Sequence, residues 1–418
     1  MKIRVLSLIA VGLLALAGCE DESGSGTTTT STTTTSGTGG STGGTGGSTG
    51  GSGGSGATGA TGGSGGLACP INSDAEYDGT SFDTNAAEVL AIRSQAGALN
   101  SAMSAAEADL TVKPTLAELT ALYEAGSPSV KSLTNPYYGE KILASLTAFE
   151  AAAGNEWKPA ATPSGPGGKY GSYIFTSTGV DLRQAVDKGL FGSLFYLYMA
   201  NLTNTTIDAA ALDGLLAAFG AHPTFPGDSS AMTNPDKLFA QYAERRSPKD
   251  PNDASKPMDP QNPGPYFRIK NHFVRAQQAI KAGAACDTVR DEAIQAILSE
   301  SERVIFSTVI FYLNDAAVKL TKEGATDAEL AGGLHGYGET IAFIHGFRML
   351  PQDARTITDA QIDELLTQIN APVDGDVSAH LFLTDGATHV PKLLSAISKV
   401  AEIYGWDAQD IESFKTAY

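Results

Sequence analysis

From Pro70 onward, apolar residues recur at helical spacing, and no stretch sustains the apolar–polar alternation with hairpin turns that a sheet core needs. The pattern predicts helices over 83–109, 115–125, 136–153, 181–203, 207–220, 234–244, 265–282, 287–320, 327–349, 358–370, 388–404 and 407–416. Two starts carry capping boxes, Thr115 with Glu118 and Thr358 with Gln361, each followed by a leucine stripe. Segments 181–203 and 287–320 are apolar nearly all round in places, which suits the centre of a bundle. The expected fold is all-α: a multi-helix bundle over 67–418, either one unit or two packed bundles split near 155–175 or 205. Long irregular stretches interrupt the helices at 155–172, rich in Pro and Gly, and at 246–265, rich in Pro, Asp and Asn.

The amino-terminal pattern is different. Lys2 and Arg4 precede an apolar run from Val5 to Ala17, too short to cross a bilayer core of ~30 Å but suited to a signal peptide. The run ends in Leu16-Ala17-Gly18-Cys19, which resembles the lipobox of bacterial lipoproteins. That resemblance implies a signal peptide over 1–18, cleavage before Cys19, a lipid on the Cys19 sulfur and hence a membrane anchor. Glu20 rather than Asp follows the cysteine, which favours an outer-membrane lipoprotein, periplasmic or surface-exposed. Residues 23–66 are only Ser, Thr, Gly and Ala, so they lack the apolar surface to offset chain entropy. Over 19–66 the sequence therefore predicts a disordered tether; a flexible coil of its Ser/Thr/Gly tract would span roughly 35–40 Å.

Charge and cysteine content narrow the function classes. The 418 residues carry 28 basic and 46 acidic side chains, a net charge of −18, which argues against a nucleic-acid groove. Three cysteines exclude a disulfide scaffold or a cysteine-built metal domain. With Cys19 lipidated, Cys69 and Cys286 remain in an oxidising compartment, and a Cys69–Cys286 disulfide is expected; two separately buried thiols are the alternative.

One constellation has candidate chemistry. His335 and Glu339 stand four apart, so a helix would place imidazole and carboxylate on one face within reach of a divalent metal such as iron or zinc. The same spacing suits a hydrogen-bonded pair between helices, and two ligands are fewer than zinc or iron takes. Glycines beside them point either to close helix packing or to a ligand approaching the backbone. His345 points elsewhere on the helix. His222 reads as a turn residue, His272 as part of a basic helix face, and His380 with Asp374, Asp376 and Asp385 as an acidic loop. Asp250, Asp253 and Asp259 lack the spacing of a calcium loop. No Ser, Thr or Cys has a local nucleophile context, so no catalytic residue is assigned.

Several stretches, in order, resemble a bacterial lipoprotein family catalogued only as a domain of unknown function. They are Val180–Leu202, above all Ala185–Tyr196 (AVDKGLFGSLFY); Phe267–Lys270; Ala276–Gly283; Val304–Asn314; and His335–Glu339 with Phe343, Phe347 and Arg348. That family is similar in style to imelysin-like proteins, helical exported domains whose His-x-x-Glu motif is linked to iron uptake or peptidase activity. Here three residues separate His335 from Glu339, and the helix before Phe219-Gly220 offers only Asp213 as a further ligand.

The reading is a lipid-anchored cell-envelope helical binding protein, with an envelope protein or a metal ion as partner and a role in metal acquisition open. An imelysin-like metallopeptidase and a structural or protein-interaction module of the cell surface are the alternatives.

Overall fold

The computed structural model describes residues 69–72 and 75–416. Short α1 (Phe82–Asn85) leads into α2 (Ala87–Ala108), followed by α3 (Leu116–Glu124), α4 (Val130–Leu133) and α5 (Pro136–Ala152). An antiparallel hairpin, β1 (Gly168–Tyr170) with β2 (Tyr173–Phe175), pairs Gly168 with Phe175 and Tyr170 with Tyr173. Next come α6 (Leu182–Asp187), a π-helical segment (Phe191–Tyr196), α7 (Leu197–Leu202), α8 (Ala209–Phe219) and α9 (Leu238–Arg245). A second small hairpin, β3 (Lys249–Asp250) and β4 (Asp253–Pro257), precedes α10 (Pro265–Ala282) and α11 (Asp287–Thr321). The chain closes with α12 (Asp327–Gly346), α13 (Asp359–Gln368), α14 (Leu381–Thr384), α15 (Gly386–Tyr404) and α16 (Ala408–Phe414).

The body is all-α, and its axis is α11. This helix packs against α10, α12 and α15 at once, which is why its apolar positions do not confine themselves to one stripe. By length and composition the helical run Ala284–Thr321 could cross a membrane, but 67% of its apolar window is buried inside the body. Both expected capping boxes form. Thr115 Oγ1 accepts from the Glu118 amide while Glu118 accepts from the Thr115 amide, and Thr358 and Gln361 do the same. A third box, Thr326 with Glu329, starts α12.

Several boundaries differ from the sequence pattern. The stretch expected as one helix over 83–109 breaks at Ala86. The stretch 234–244 turns helical only at Leu238: Asn234 takes φ 52°, and the Asp236 and Lys237 amides donate to the Asp228 and Gly220 carbonyls instead of entering the helix. The long irregular segments are not wholly irregular: 246–265 holds the β3–β4 hairpin, and 155–172 ends in β1, whose partner β2 follows it, both too short to show alternation. Helices α4 and α14, four residues each, are shorter than a periodic signal needs. The described residues fall in one compact unit.

The largest departure is at 181–203, where one helix was expected and three segments meet. Between α6 and α7, six consecutive buried residues form a π-helix. It presses on α12 so closely that a Cβ on Gly192 would lie 2.5 Å from the Gly346 backbone, and one on Gly346 would lie 2.6 Å from the Gly189 carbonyl oxygen. The widened turn is held from outside by the Asn135 amide, which donates to the Ser193 carbonyl at 2.7 Å.

Candidate functional site

The start of α6 meets the middle of α12, and the candidate pair lies at that crossing. Asp181 is the N-cap of α6: its Oδ1 accepts from the Gln184 amide at 2.9 Å, as an acid placed three before Gln184 should. Its other oxygen, Oδ2, lies 2.8 Å from His335 Nδ1. On α12, His335 and Glu339 share a face as their spacing predicts, with Nε2 3.9 Å from Glu339 Oε1. Gly338 permits the approach, since a Cβ there would sit 2.7 Å from the Asp181 Cβ. Of the two explanations for the glycines, close packing is what this position displays. Tyr173 of β2 stacks flat on the imidazole, ring centroids 3.9 Å apart and 11° from parallel.

A wider set of buried charges surrounds the pair. Glu339 is fully buried, and Lys188 Nζ stands 3.3 Å from its Oε1 and 3.0 Å from Asp187 Oδ2 at the more exposed rim. With its amide turned to suit both neighbours, Gln184 donates to Glu339 Oε1 at 3.3 Å and accepts from Arg183. Arg183 bonds Glu107 at 2.5 Å and Asn100 at 3.2 Å, both on α2. Glu107 also accepts from the Ile174 amide of β2 at 3.3 Å. The crossing thus ties α2, β2, α6 and α12 through side chains that lie almost wholly out of water.

Burial by itself would lower the His335 pKa, but the bond to Asp181 and the charge of Glu339 outweigh it, and the ring titrates above its ordinary value. Burial likewise pushes the Glu107 carboxyl up, against the pull of Arg183.

A resident metal is a poor fit to this donor set. The two ring nitrogens face two different carboxylates, and the Glu339 oxygen nearest the ring already has an ammonium beside it. Among the described residues, no group of three His, Cys, Asp or Glu is arranged to hold a metal ion.

The other singled-out residues disperse. Asp213 accepts from Tyr77 at 2.7 Å and from Asn85 at 2.8 Å, so it serves α1 rather than α12. His345 Nε2 lies 2.6 Å from the Tyr137 hydroxyl, and burial drives its pKa down to about 4. His222 closes a turn with Thr224, Nδ1 to Oγ1 2.9 Å. Burial lowers the His272 pKa, and its neighbours Arg268 and Arg275 pair with Glu300 and Glu292. His380 is buried with its amide on the Thr178 carbonyl, while Asp385 approaches His389 instead, at 3.8 Å. Asp250, Asp253 and Asp259 each cap a local turn. Cys69 and Cys286 form a disulfide, Cα atoms 5.2 Å apart across 217 residues of sequence. The expected signal peptide, the expected lipidation at Cys19 and the expected tether fall outside the described residues.

The sequence pattern singled out His335 and Glu339 but missed Asp181, Lys188, Arg183, Glu107 and Tyr173. One signal was available: Asp181 has the form of a cap three before Gln184. Glu107 offered none, standing at the end of an alanine-rich helix. Comparison of the chain with family models, with curated proteins and with solved structures finds no match.

Proposed function

We propose that this chain is a lipid-anchored envelope protein whose helical body acts as a non-catalytic binding module for another envelope component. The observation that carries the reading is the Cys69–Cys286 disulfide, because a persistent bridge of this kind belongs to an oxidising compartment. It agrees with the lipobox-like Leu16–Cys19 and with the ordered stretches that resemble the lipoprotein family of unknown function. The non-catalytic part rests on how the best candidate pair is used. His335 is gripped by Asp181, stacked under Tyr173 and directed at a carboxylate that Lys188 also approaches. Both metal acquisition and an imelysin-like peptidase would need His335 and Glu339 to share a metal, a task their present partners oppose.

Subcellular fractionation of the full chain tests the proposal. The native protein should sediment with membranes and carry an acylated Cys19, and Cys19→Ala should move to the soluble envelope fraction. A native product whose Cys19 is unacylated, or a Cys19→Ala variant still held by membranes, would overturn the anchor. A peptide-hydrolysis activity lost on His335→Ala, in protein whose thermal unfolding is otherwise cooperative, would overturn the non-catalytic assignment.

A further inference from the structure

The Lys188 ammonium is surrounded in a way that its two ion pairs alone do not describe. Besides Asp187 Oδ2 at 3.0 Å and Glu339 Oε1 at 3.3 Å, it lies 5.9 Å from the ring centroid of Phe191 and 5.7 Å from that of Tyr242. Phe191, Tyr242 and Glu339 are buried, and the Lys188 side chain is 7% exposed. Two aromatic faces and two carboxylates around one nitrogen make an ammonium cage, in which ring quadrupoles and charge act together away from water.

We propose that the crossing of α6 and α12 is built as a binding site for an alkylammonium group, and that the side chain of Lys188 is its permanent occupant in place of a metal ion. The chemistry of the walls selects for this. Aromatic faces attract a diffuse organic cation, whereas a divalent metal seeks converging oxygen or nitrogen donors and gains nothing from a ring at this distance. The walls come from four elements: Asp187 from α6, Phe191 from the π-helix, Tyr242 from α9 and Glu339 from α12. The occupied cage therefore joins α9 and α12 to the segment that the π-helix distorts. This inference does not depend on the envelope reading, since it concerns only the interior of the body.

Chemical rescue tests it. Lys188→Ala should empty the cage and remove the ammonium beside buried Glu339, lowering the equilibrium constant for folding on the order of 100-fold. Thermal unfolding with n-propylammonium or ethylammonium chloride should restore much of the lost midpoint in Lys188→Ala, with no effect on the parent beyond that of sodium chloride. Zinc or manganese at micromolar concentration should not rescue, and should not bind the parent through His335. If Lys188→Ala does not fold, Lys188→Met should be compared with Lys188→Met/Glu339→Gln, which removes both charges. The double variant should recover at least about tenfold in that constant over the single. The inference is overturned if alkylammonium ions rescue no better than sodium, if the double variant is no more stable than the single, or if the parent binds a divalent metal that His335→Ala abolishes.

Discussion

Asp181 holds two helices with one carboxylate: Oδ1 caps α6 at the Gln184 amide, 2.9 Å away, and Oδ2 fixes His335 of α12, 2.8 Å away. The two roles are separable by substitution. Asp181→Asn keeps an oxygen for the cap but removes the charge, whereas Asp181→Ala loses both. Urea unfolding should place Asp181→Ala about 1 kcal/mol below Asp181→Asn, the worth of a helix cap. Equal stabilities would mean that the cap contributes nothing.

The raised pKa of His335 makes part of the body's stability pH-dependent. A group that titrates higher when folded contributes fully below its unfolded pKa and loses that contribution as pH climbs through the folded value. The stability gap between the parent and His335→Gln should therefore be widest below pH ~6.5 and narrow on the alkaline side. A gap that grows with pH would show the ring to be neutral in the native state.

Asp236 works in the same direction by another cause. It is fully buried, and desolvation raises its carboxyl from 3.8 to about 7, although it accepts from the Asp228 amide at 3.0 Å. Stability associated with the neutral acid is present below pH 3.8 and lost as pH rises to about 7. Asp236→Asn, which stays neutral, should be more stable than the parent by on the order of 2–4 kcal/mol at pH 8. The difference should shrink toward pH 4, and denaturant melts at the two pH values read it directly.

Two neighbouring glycines of α12 should respond with opposite signs. Gly338→Ala would drive a methyl to 2.7 Å from the Asp181 side chain, costing about 1–3 kcal/mol. Gly336→Ala meets nothing nearer than 3.5 Å, the Asp315 carboxylate, and should gain about 0.5–1 kcal/mol from helix propensity. A stable Gly338→Ala would mean that α6 and α12 can part without penalty.

Reduction should matter more than any of these. Closing 217 residues of chain is worth about 5 kcal/mol in the chain-entropy description, so the unfolding midpoint should fall well below that of the oxidised protein. Cys69→Ser/Cys286→Ser should reproduce the reduced value, and an unchanged midpoint would show the bridge to be energetically idle.

Most of the longer helices were readable because they bury apolar positions whose helical period survives in the sequence, and because Thr115, Thr358 and their partners mark starts chemically. What escaped was set by neighbours rather than by local pattern. Nothing within 181–203 announces a π-helix; it follows from Gly192 meeting Gly346, 154 positions later. For the site, the turn spacing put His335 and Glu339 on one face, but their partners come from α6 and β2. The spacing of His335 and Glu339 carried no sign that Lys188 would stand beside Glu339.

The bridge at Cys286 sits where the three-residue 3-10 turn Ala284–Cys286 passes into α11, the helix on which the body is assembled. Any pull applied ahead of Cys69 is therefore delivered to the start of that central rod, while Asn72 and Asp78 behind the bridge are held to α10 by Gln278, Gln277 and Lys281. Mechanical tension arriving from the amino end would have to extract α11 from the interior before it could peel the layers beside it. Once the sulfurs are reduced, the same pull would instead unzip the chain from Tyr77 and α1 inward, at far lower force.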